Sequence, residues 1–312
     1  MDHEYFMRRA IKLAEKGRGT TSPNPLVGAV IVKNGRIIGE GYHLRAGEAH
    51  AEINALNSTK ENARGATLYV TLEPCCFHGK TPPCTEAVIR AKIAKVVVGL
   101  IDPNPRVCGK GIKKLKEAKV EVISGILSSE VKRQNEAYIK RVTTGKPFVL
   151  MKVGMTLNGK IAEERGRETV ITCEEARKFV HKLRSEFDAV MVGRGTVLSD
   201  DPELTVREVA FSKQPKRIIV STDAQIPLEA NVVRTANLIH TYLATTPQAS
   251  HEQINKLKSN GVKVIVVAST NNRLDLNALL ELLGKQKINS ILLEGGSHLN
   301  TSMIEAGLVD KF

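Results

Sequence analysis

The segment from Thr71 to Cys84, TLEPCCFHGKTPPC, holds three of the five cysteines in a chain of 312 residues. An odd cysteine count in a long chain fits poorly with a disulfide framework, so metal binding or catalysis leads as their use. Upstream stands His50-Ala51-Glu52. One imidazole and two thiolates supply the three protein ligands of a catalytic zinc site, whose fourth position stays open to water. His50, Cys75 and Cys84 are therefore the candidate ligands of one Zn2+ per chain. Glu52 is placed to carry protons without ligating, and zinc lowers the pKa of bound water from 15.7 to about 7. Each piece is weak alone, since a lone His-x-Glu is uninformative and a cysteine pair is more often core or structural metal. Cys76 competes for either thiolate position, but adjacent side chains point apart, so it reads as a packing residue. Cys108 and Cys173 read as ordinary core or surface thiols.

The elements around these residues follow from their periodicity. Residues 3–16 carry apolar positions at helical spacing and TTSPNP reads as a loop. LVGAVIVKNGRIIGEGYH reads as two strands around an Asn34-Gly35 hairpin. A helix from about residue 49, a strand ATLYVTL, a helix after Cys84, a strand KVVVGL, a helix over 110–118, a strand KVEVIS and one charged helix over 128–142 complete the pattern. This predicts a mixed α/β sheet covered by helices, over residues 1–143. Cys84 at a helix start gains support for its thiolate from the helix dipole. Eight residues lie between Cys75 and Cys84, where zinc deaminases normally have two. The longer loop offers His78, Lys80 and Thr81 to a substrate.

Residues 144–147 read as a linker and a second α/β pattern fills 148–312, with strands at FVLMKVGMTL, DAVMVG, KRIIVST, NLIHTYLA, VKVIVVA and NSILLEGG. Thr172-Cys173-Glu174-Glu175 has capping-box form and predicts a helix to about Phe187. No G-x-G-x-x-G follows a strand, so a Rossmann site is not supported. Two glycine turns, MVGRGTVLSDDP and LLEGGSHL, instead let backbone N–H groups approach a phosphate, although such turns also serve as plain connectors. The chain stops at Phe312 as a helix hands over to another strand, which predicts a second domain lacking its C-terminal strands.

Net charge is +13. The positive residues are scattered, without a basic tail and with few aromatics for base stacking, which favours phosphorylated small molecules over nucleic acid. No apolar run spans a bilayer and the charged N-terminus is not a signal peptide, so a cytoplasmic protein without membrane contact is expected.

The motifs T-S-P-N-P-L-V-G-A-V, H-A-E, T-L-E-P-C, H-G-K-T-P-P-C and D-P-N-P together resemble the bacterial bifunctional riboflavin-biosynthesis deaminase/reductases. The resemblance implies a cytidine-deaminase-like domain with helices on both faces of its sheet, acting on 2,5-diamino-6-(5-phosphoribosylamino)pyrimidin-4-one. His50, Cys75 and Cys84 would hold zinc, Glu52 would shuttle protons, and Asn24, His43, His78, Lys80, Asp102 and Asn104 would line the substrate pocket. The second domain would be dihydrofolate-reductase-like and reduce the ribosyl group with NADPH. Gly154, Val170, Thr196, Asp200, Thr222 and Gly296, Ser297, His298, Leu299 and Asn300 would meet NADPH. Glu168, Arg184, Leu204, Arg207 and Glu294 would meet the substrate. Family members often carry a tryptophan before the I-T pair of this motif; here the segment reads GRETVIT, with Val170 in its place. A homo-oligomer is compatible with the family, and no residue pattern decides it. The competing readings are a tRNA-type zinc deaminase with a basic accessory domain, and a binding module with purely structural zinc.

Overall fold

The computed structural model describes residues 2–79, 82–161 and 171–312, so Lys80, Thr81, Glu168 and Val170 lie outside the described residues. The chain divides into two compact units, Met1–Thr144 and Gly145–Phe312. No helix among the described residues is long and apolar enough to cross a membrane.

The first unit runs α1 (His3–Ala14), a short 3-10 turn, β1 (Gly28–Lys33), β2 (Arg36–Tyr42), α2 (Ala51–Asn57), β3 (Thr67–Leu72), α3 (Cys84–Arg90), β4 (Lys95–Leu100), α4 (Lys110–Glu117), β5 (Glu121–Ser124), α5 (Ser128–Gln134) and α6 (Glu136–Thr144). Its sheet has the order β2-β1-β3-β4-β5; β1 is antiparallel to both neighbours, while β3, β4 and β5 are parallel. Strand alternation sends Ile31, Leu68, Val70, Val96 and Val98 to one face, against Ala51, Ala55, Val88 and Leu115 of α2, α3 and α4. Val30, Val32, Tyr69 and Val97 face the other way, onto Phe6, Met7, Ala10 and Leu13 of α1. The mixed sheet is thus covered on both faces.

Two backbone requirements shape this unit. Asn34 and Gly35 both take positive φ, 49° and 75°, as a two-residue hairpin turn that matches strand twist demands. At Gly41 a Cβ would lie 2.3 Å from Ala55 N and 2.5 Å from Ala51 O, so only glycine lets α2 settle directly on β2. The single helix expected over 128–142 is instead two, broken at Asn135. That side chain is buried and pairs with a distant backbone, accepting from Leu26 N at 2.8 Å and donating to Leu26 O at 3.0 Å. A tertiary hydrogen-bond pair overrides local helix propensity here.

The second unit runs β6 (Phe148–Met151), α7 (Glu174–Glu186), β7 (Ala189–Gly193), α8 (Arg194–Asp200), β8 (Lys216–Val220), α9 (Asn231–Arg234), β9 (Thr241–Thr245), α10 (His251–Ser259), β10 (Lys263–Val266), β11 (Ser269–Thr270), β12 (Arg273–Leu274), α11 (Leu276–Lys285), β13 (Ser290–Leu293) and α12 (Ser297–Glu305). A wholly parallel sheet has the order β10-β9-β8-β7-β13-β6, with β11 and β12 forming a separate ribbon. Helices α11 and α12 cover one face, through Leu279, Leu283 and Met303. Helices α8, α9 and α10 cover the other, through Val197, Val232 and Leu257. Lys311 makes a parallel bridge to Leu150 at the β6 edge. The capping box expected at Thr172 is not formed: Cys173 is the N-cap of α7, with extended backbone and no side-chain cap bond.

Arg217 is fully buried in β8, and among the described residues no carboxylate pairs with its guanidinium. Its five N–H groups find neutral acceptors: Thr241 Oγ1 (2.9 Å), Glu203 O (3.2 Å), Thr235 Oγ1 (2.8 Å), Val232 O (3.1 Å) and Ile239 O (3.2 Å). Burial lowers its pKa to about 10. Arg217→Met should strand these acceptors and destabilise the second unit by roughly 3 kcal/mol, or about 6–12 °C in its calorimetric transition. An unshifted transition would mean that the network contributes nothing net.

Candidate active sites

Three segments of the first unit converge on the metal ligands. His50 is the N-cap of α2, with extended backbone and no side-chain cap bond. Cys75 follows β3, and Cys84 opens α3. His50 Nδ1 lies 3.2 Å from Cys84 Sγ and 3.5 Å from Cys75 Sγ, and Cys84 N–H donates to Cys75 Sγ at 3.3 Å. All three donor atoms fall within 4.8 Å of one another. A tetrahedral zinc centre with Zn–N and Zn–S distances of about 2.0–2.3 Å has N···S edges of about 3.5 Å, so the donor set fits the ion. The thiols differ sharply: a hydrogen bond from the Cys84 thiol, then one from His50, holds Cys75 down to about 4. That same bond, with burial, pushes Cys84 up. The hydrogen bond to Cys75 raises His50.

Glu52 sits in the first turn of α2 and is 3% exposed. Burial raises its carboxyl above the ordinary range, with His50 opposing. It is thus suited to taking up and releasing a proton beside the three donors.

The expected pocket residues divide. His43 is buried with its ring 5.3 Å from that of His50, edge to face. Its Nδ1 meets Ala49 O at 3.1 Å and its Nε2 meets Asn24 Nδ2 at 3.0 Å. A carbonyl only accepts, so Nδ1 carries the proton and Nε2 accepts from Asn24. Burial lowers the His43 pKa, consistent with that neutral ring. Asp102 accepts from Asn104 N at 2.9 Å and from the Tyr138 hydroxyl at 3.1 and 3.2 Å. His78 is not gathered in: its side chain is 73% exposed, 4.0 Å from Glu86.

Glu73 and Tyr138 go unnoticed in the sequence. Glu73 is buried, and its carboxylate accepts backbone N–H groups from Asp102 (3.3 Å), Gly109 (2.8 Å) and Ile112 (3.1 Å). It therefore hangs the Asp102–Gly109 loop two residues before Cys75. Its place at the end of an apolar strand was the available signal, since a charge there needs buried partners. Tyr138 carries no such signal.

In the second unit a cleft of ≈ 1920 Å³ opens at the carboxyl ends of the strands. Gly154, Thr196, Asp200, Thr222, Gly296, Ser297, His298 and Leu299 line it, as do Arg184, Leu204, Arg207 and Glu294. Asn300 does not; it is buried and donates Nδ2–H to Gly295 O at 2.8 Å. Arg184 and Glu294 bind each other, Nε to Oε1 at 2.7 Å and Nη2 to Oε2 at 2.9 Å, while Nη1 donates to Thr205 O at 3.0 Å. Arg207 meets Glu203 at 2.5 Å and Thr205 Oγ1 at 2.9 Å. The dinucleotide fits this cleft on two counts. Gly296 caps α12 without a side-chain bond, leaving that helix's first N–H groups to the cleft. A Cβ on Gly195 would meet nothing within 4 Å, so the backbone there is open to a ligand.

The Asp102 carboxyl is raised to about 6, first by burial. Its folded pKa lies above an unfolded value of about 3.9, so folding favours the protonated form. Its contribution is present below about pH 4 and lost as pH rises to about 6. Relative to Asp102→Asn, the native protein should therefore gain up to about 3 kcal/mol between pH 6 and pH 4 in urea unfolding. Parallel profiles for the two proteins would show that Asp102 titrates normally.

Two family models match. The cytidine and deoxycytidylate deaminase zinc-binding region covers residues 1–100 and the RibD C-terminal domain covers residues 147–312. The riboflavin biosynthesis protein RibD of Actinobacillus pleuropneumoniae is 47% identical over 98% of this chain and 81% of its own length. That of Escherichia coli K12 is 42% identical over 100% of this chain and 86% of its own. Among solved structures, Acinetobacter baumannii RibD superposes with TM-score 0.90 at 38% identity, covering 99% of this chain and 84% of that one. The Thermotoga maritima diaminohydroxyphosphoribosylaminopyrimidine deaminase/5-amino-6-(5-phosphoribosylamino)uracil reductase gives 0.86 at 40% identity, covering 97% and 84%. These relatives do not favour the tRNA-type alternative. With a zinc-binding deaminase domain and an NADPH-dependent reductase domain in one polypeptide, the chain belongs to the RibD family of bifunctional riboflavin-biosynthesis enzymes.

Proposed function

We propose that residues 1–143 deaminate 2,5-diamino-6-(5-phosphoribosylamino)pyrimidin-4-one hydrolytically, and that residues 148–312, joined through 144–147, reduce the ribosyl group of the product to ribityl, both in the cytoplasm. The observation that carries the reading is the convergence of His50, Cys75 and Cys84 with Glu52 buried two residues beyond His50. These three residues would hold zinc, which when bound activates water for attack near neutral pH. Glu52 takes the proton released in the attack and returns it to the departing amine, so that ammonia leaves uncharged. Neutral His43, fixed by Ala49 O, holds the Asn24 amide. Asn24 then presents its remaining amide groups to the pyrimidine. Tyr138 and the loop hung from Glu73 hold Asp102 and Asn104, which would meet the same substrate. His78 and Lys80, in the segment between Cys75 and Cys84, are assigned to the substrate by the resemblance.

In the second unit NADPH supplies the hydride. The turn from Gly296 to Leu299 would hold its pyrophosphate, with Thr196, Asp200, Thr222 and Gly154 along its length; Val170 and Asn300 are assigned to NADPH by the resemblance. Three of the five Arg184 N–H groups are used within the protein. The other two, with Arg207, suit a bidentate hold on the substrate phosphate. Glu294, fixed by Arg184, and Leu204 complete that end, and the resemblance assigns Glu168 to the same substrate. The net charge of +13 suits ligands that are all phosphorylated.

The test is zinc-loaded protein with the diaminopyrimidine ribotide and NADPH, products followed by mass spectrometry. Deamination followed by a two-hydrogen gain is expected. Glu52→Gln should retain its zinc and lose roughly 10²–10⁴-fold in deamination rate. Absence of deamination by the native protein would sink the first assignment, and deamination without reduction would sink the second.

A further inference from the structure

Of the cationic side chains that line the cleft and to which the reading above gives no task, Lys152, Arg177, Arg194 and Arg273, Arg194 alone has a buried donor without a partner among the described residues. Arg194 follows β7 directly and lines the cleft, its side chain 42% exposed. Its Nη1 donates to Asp223 Oδ2 at 2.7 Å. Its Nε is buried and has no hydrogen-bond partner among the described residues. An N–H without an acceptor is costly, so this pose of the guanidinium is held by one bond and opposed by another group's lack of one. Asp223 is the fixed member of the pair, because its Oδ1 accepts from Ser221 Oγ at 2.9 Å and from Gln225 N at 3.1 Å. Arg194 is the member that can turn.

Strand register shows what it would turn towards. Gly193 at the end of β7 pairs with Val220 at the end of β8, which brings Arg194 beside Ser221 at the carboxyl edge of the sheet. Ser221, Thr222 and Asp223 line the same cleft. On the other side of β7 stands β13, which leads into Glu294 and the open glycine turn before α12. Arg184 and Glu294 mark the substrate end of the cleft, so the nicotinamide half of a dinucleotide seated on that turn must stay near them. The adenosine half then extends the opposite way, across β7 to the end of β8. Two strand spacings, about 10 Å, are roughly the span of one nucleotide.

We propose that Arg194 selects dinucleotides carrying a phosphate on the 2′-oxygen of the adenosine ribose. The inference rests on the NADPH reading of the second unit and deepens it. A guanidinium fork meets a dianionic phosphate with two parallel charge-assisted hydrogen bonds, and turning onto it supplies the acceptor that Nε lacks. Ser221 and Thr222 line the cleft beside Asp223. Asp223 makes the selection two-sided: once Arg194 is removed, a bare carboxylate faces the ribose, repelling a 2′-phosphate while still able to accept from a 2′-hydroxyl.

The test uses the full chain without substrate, so that binding is read apart from turnover. Titration calorimetry with NADPH and with NADH would be run on the native protein, Arg194→Ala, Arg194→Lys and Asp223→Asn. The dissociation constant for NADPH should rise roughly tenfold to a hundredfold in Arg194→Ala, with NADH changed by less than about threefold. Arg194→Lys should recover part of the loss, keeping charge without the fork, and Asp223→Asn should tighten NADPH. Phosphorus NMR should show the 2′-phosphate resonance shifted on binding to the native protein and returned towards its free position in Arg194→Ala. Equal losses for both dinucleotides, or an unchanged NADPH constant, would overturn the proposal. Native protein that binds neither dinucleotide would overturn the NADPH reading beneath it, a result distinct from either of these.

Discussion

A carboxylate taken out of water must replace its hydrogen bonds within the protein. Glu73 meets that requirement with three backbone N–H groups from a segment about thirty to forty residues further along the chain. The consequence reaches well beyond local stability. Glu73 ends β3 immediately before Pro74 and Cys75, so the bonds that satisfy it also fix where the strand delivers its thiolate. They hang the loop bearing Asp102 and Asn104 beside it and hold the start of α4. The candidate metal ligand Cys75 and the proposed substrate contacts Asp102 and Asn104 thus share one anchor.

The second unit solves a related problem with arginines, and the degree to which each guanidinium is satisfied follows its task. Arg217 spends all five N–H groups on neutral acceptors deep in the sheet and ties together four segments. Arg184 divides its donors between a carboxylate and a carbonyl and keeps two in hand. Arg194, at the cleft, keeps one bond and leaves a buried donor unmet. The saturated guanidinium belongs to the scaffold, and the two with unused donors line the cleft.

Much of this was legible in the sequence because it is local. The hairpin at Asn34-Gly35 needs only two residues that accept positive φ, and each strand of both sheets announces itself by apolar runs between turns. The zinc ligands were legible as a combination, since imidazole, thiolates and a nearby acid meet one coordination chemistry. What escaped was set by partners far along the chain. Nothing near Asn135 shows that its amide will pair with Leu26 and split a helix. Nothing near Glu73 reveals its three donors, and nothing in α7 reveals that Arg184 will face Glu294 rather than solvent. Val170 and Glu168, expected at the reductase site from resemblance, lie outside the described residues.

Gly41 shows how far such a constraint extends. It carries no reacting atom and touches no ligand, yet the backbone of α2 occupies the space where its side chain would be. One added methyl group would force the helix back by about 1 Å, and a displacement of that size can cost a hundredfold in rate. His50 caps that helix and Glu52 lies in its first turn, so the candidate ligand and the proposed proton carrier would move together. Every single-base change away from this glycine adds atoms, so the proposed deamination can be lost with every residue assigned to it still in place.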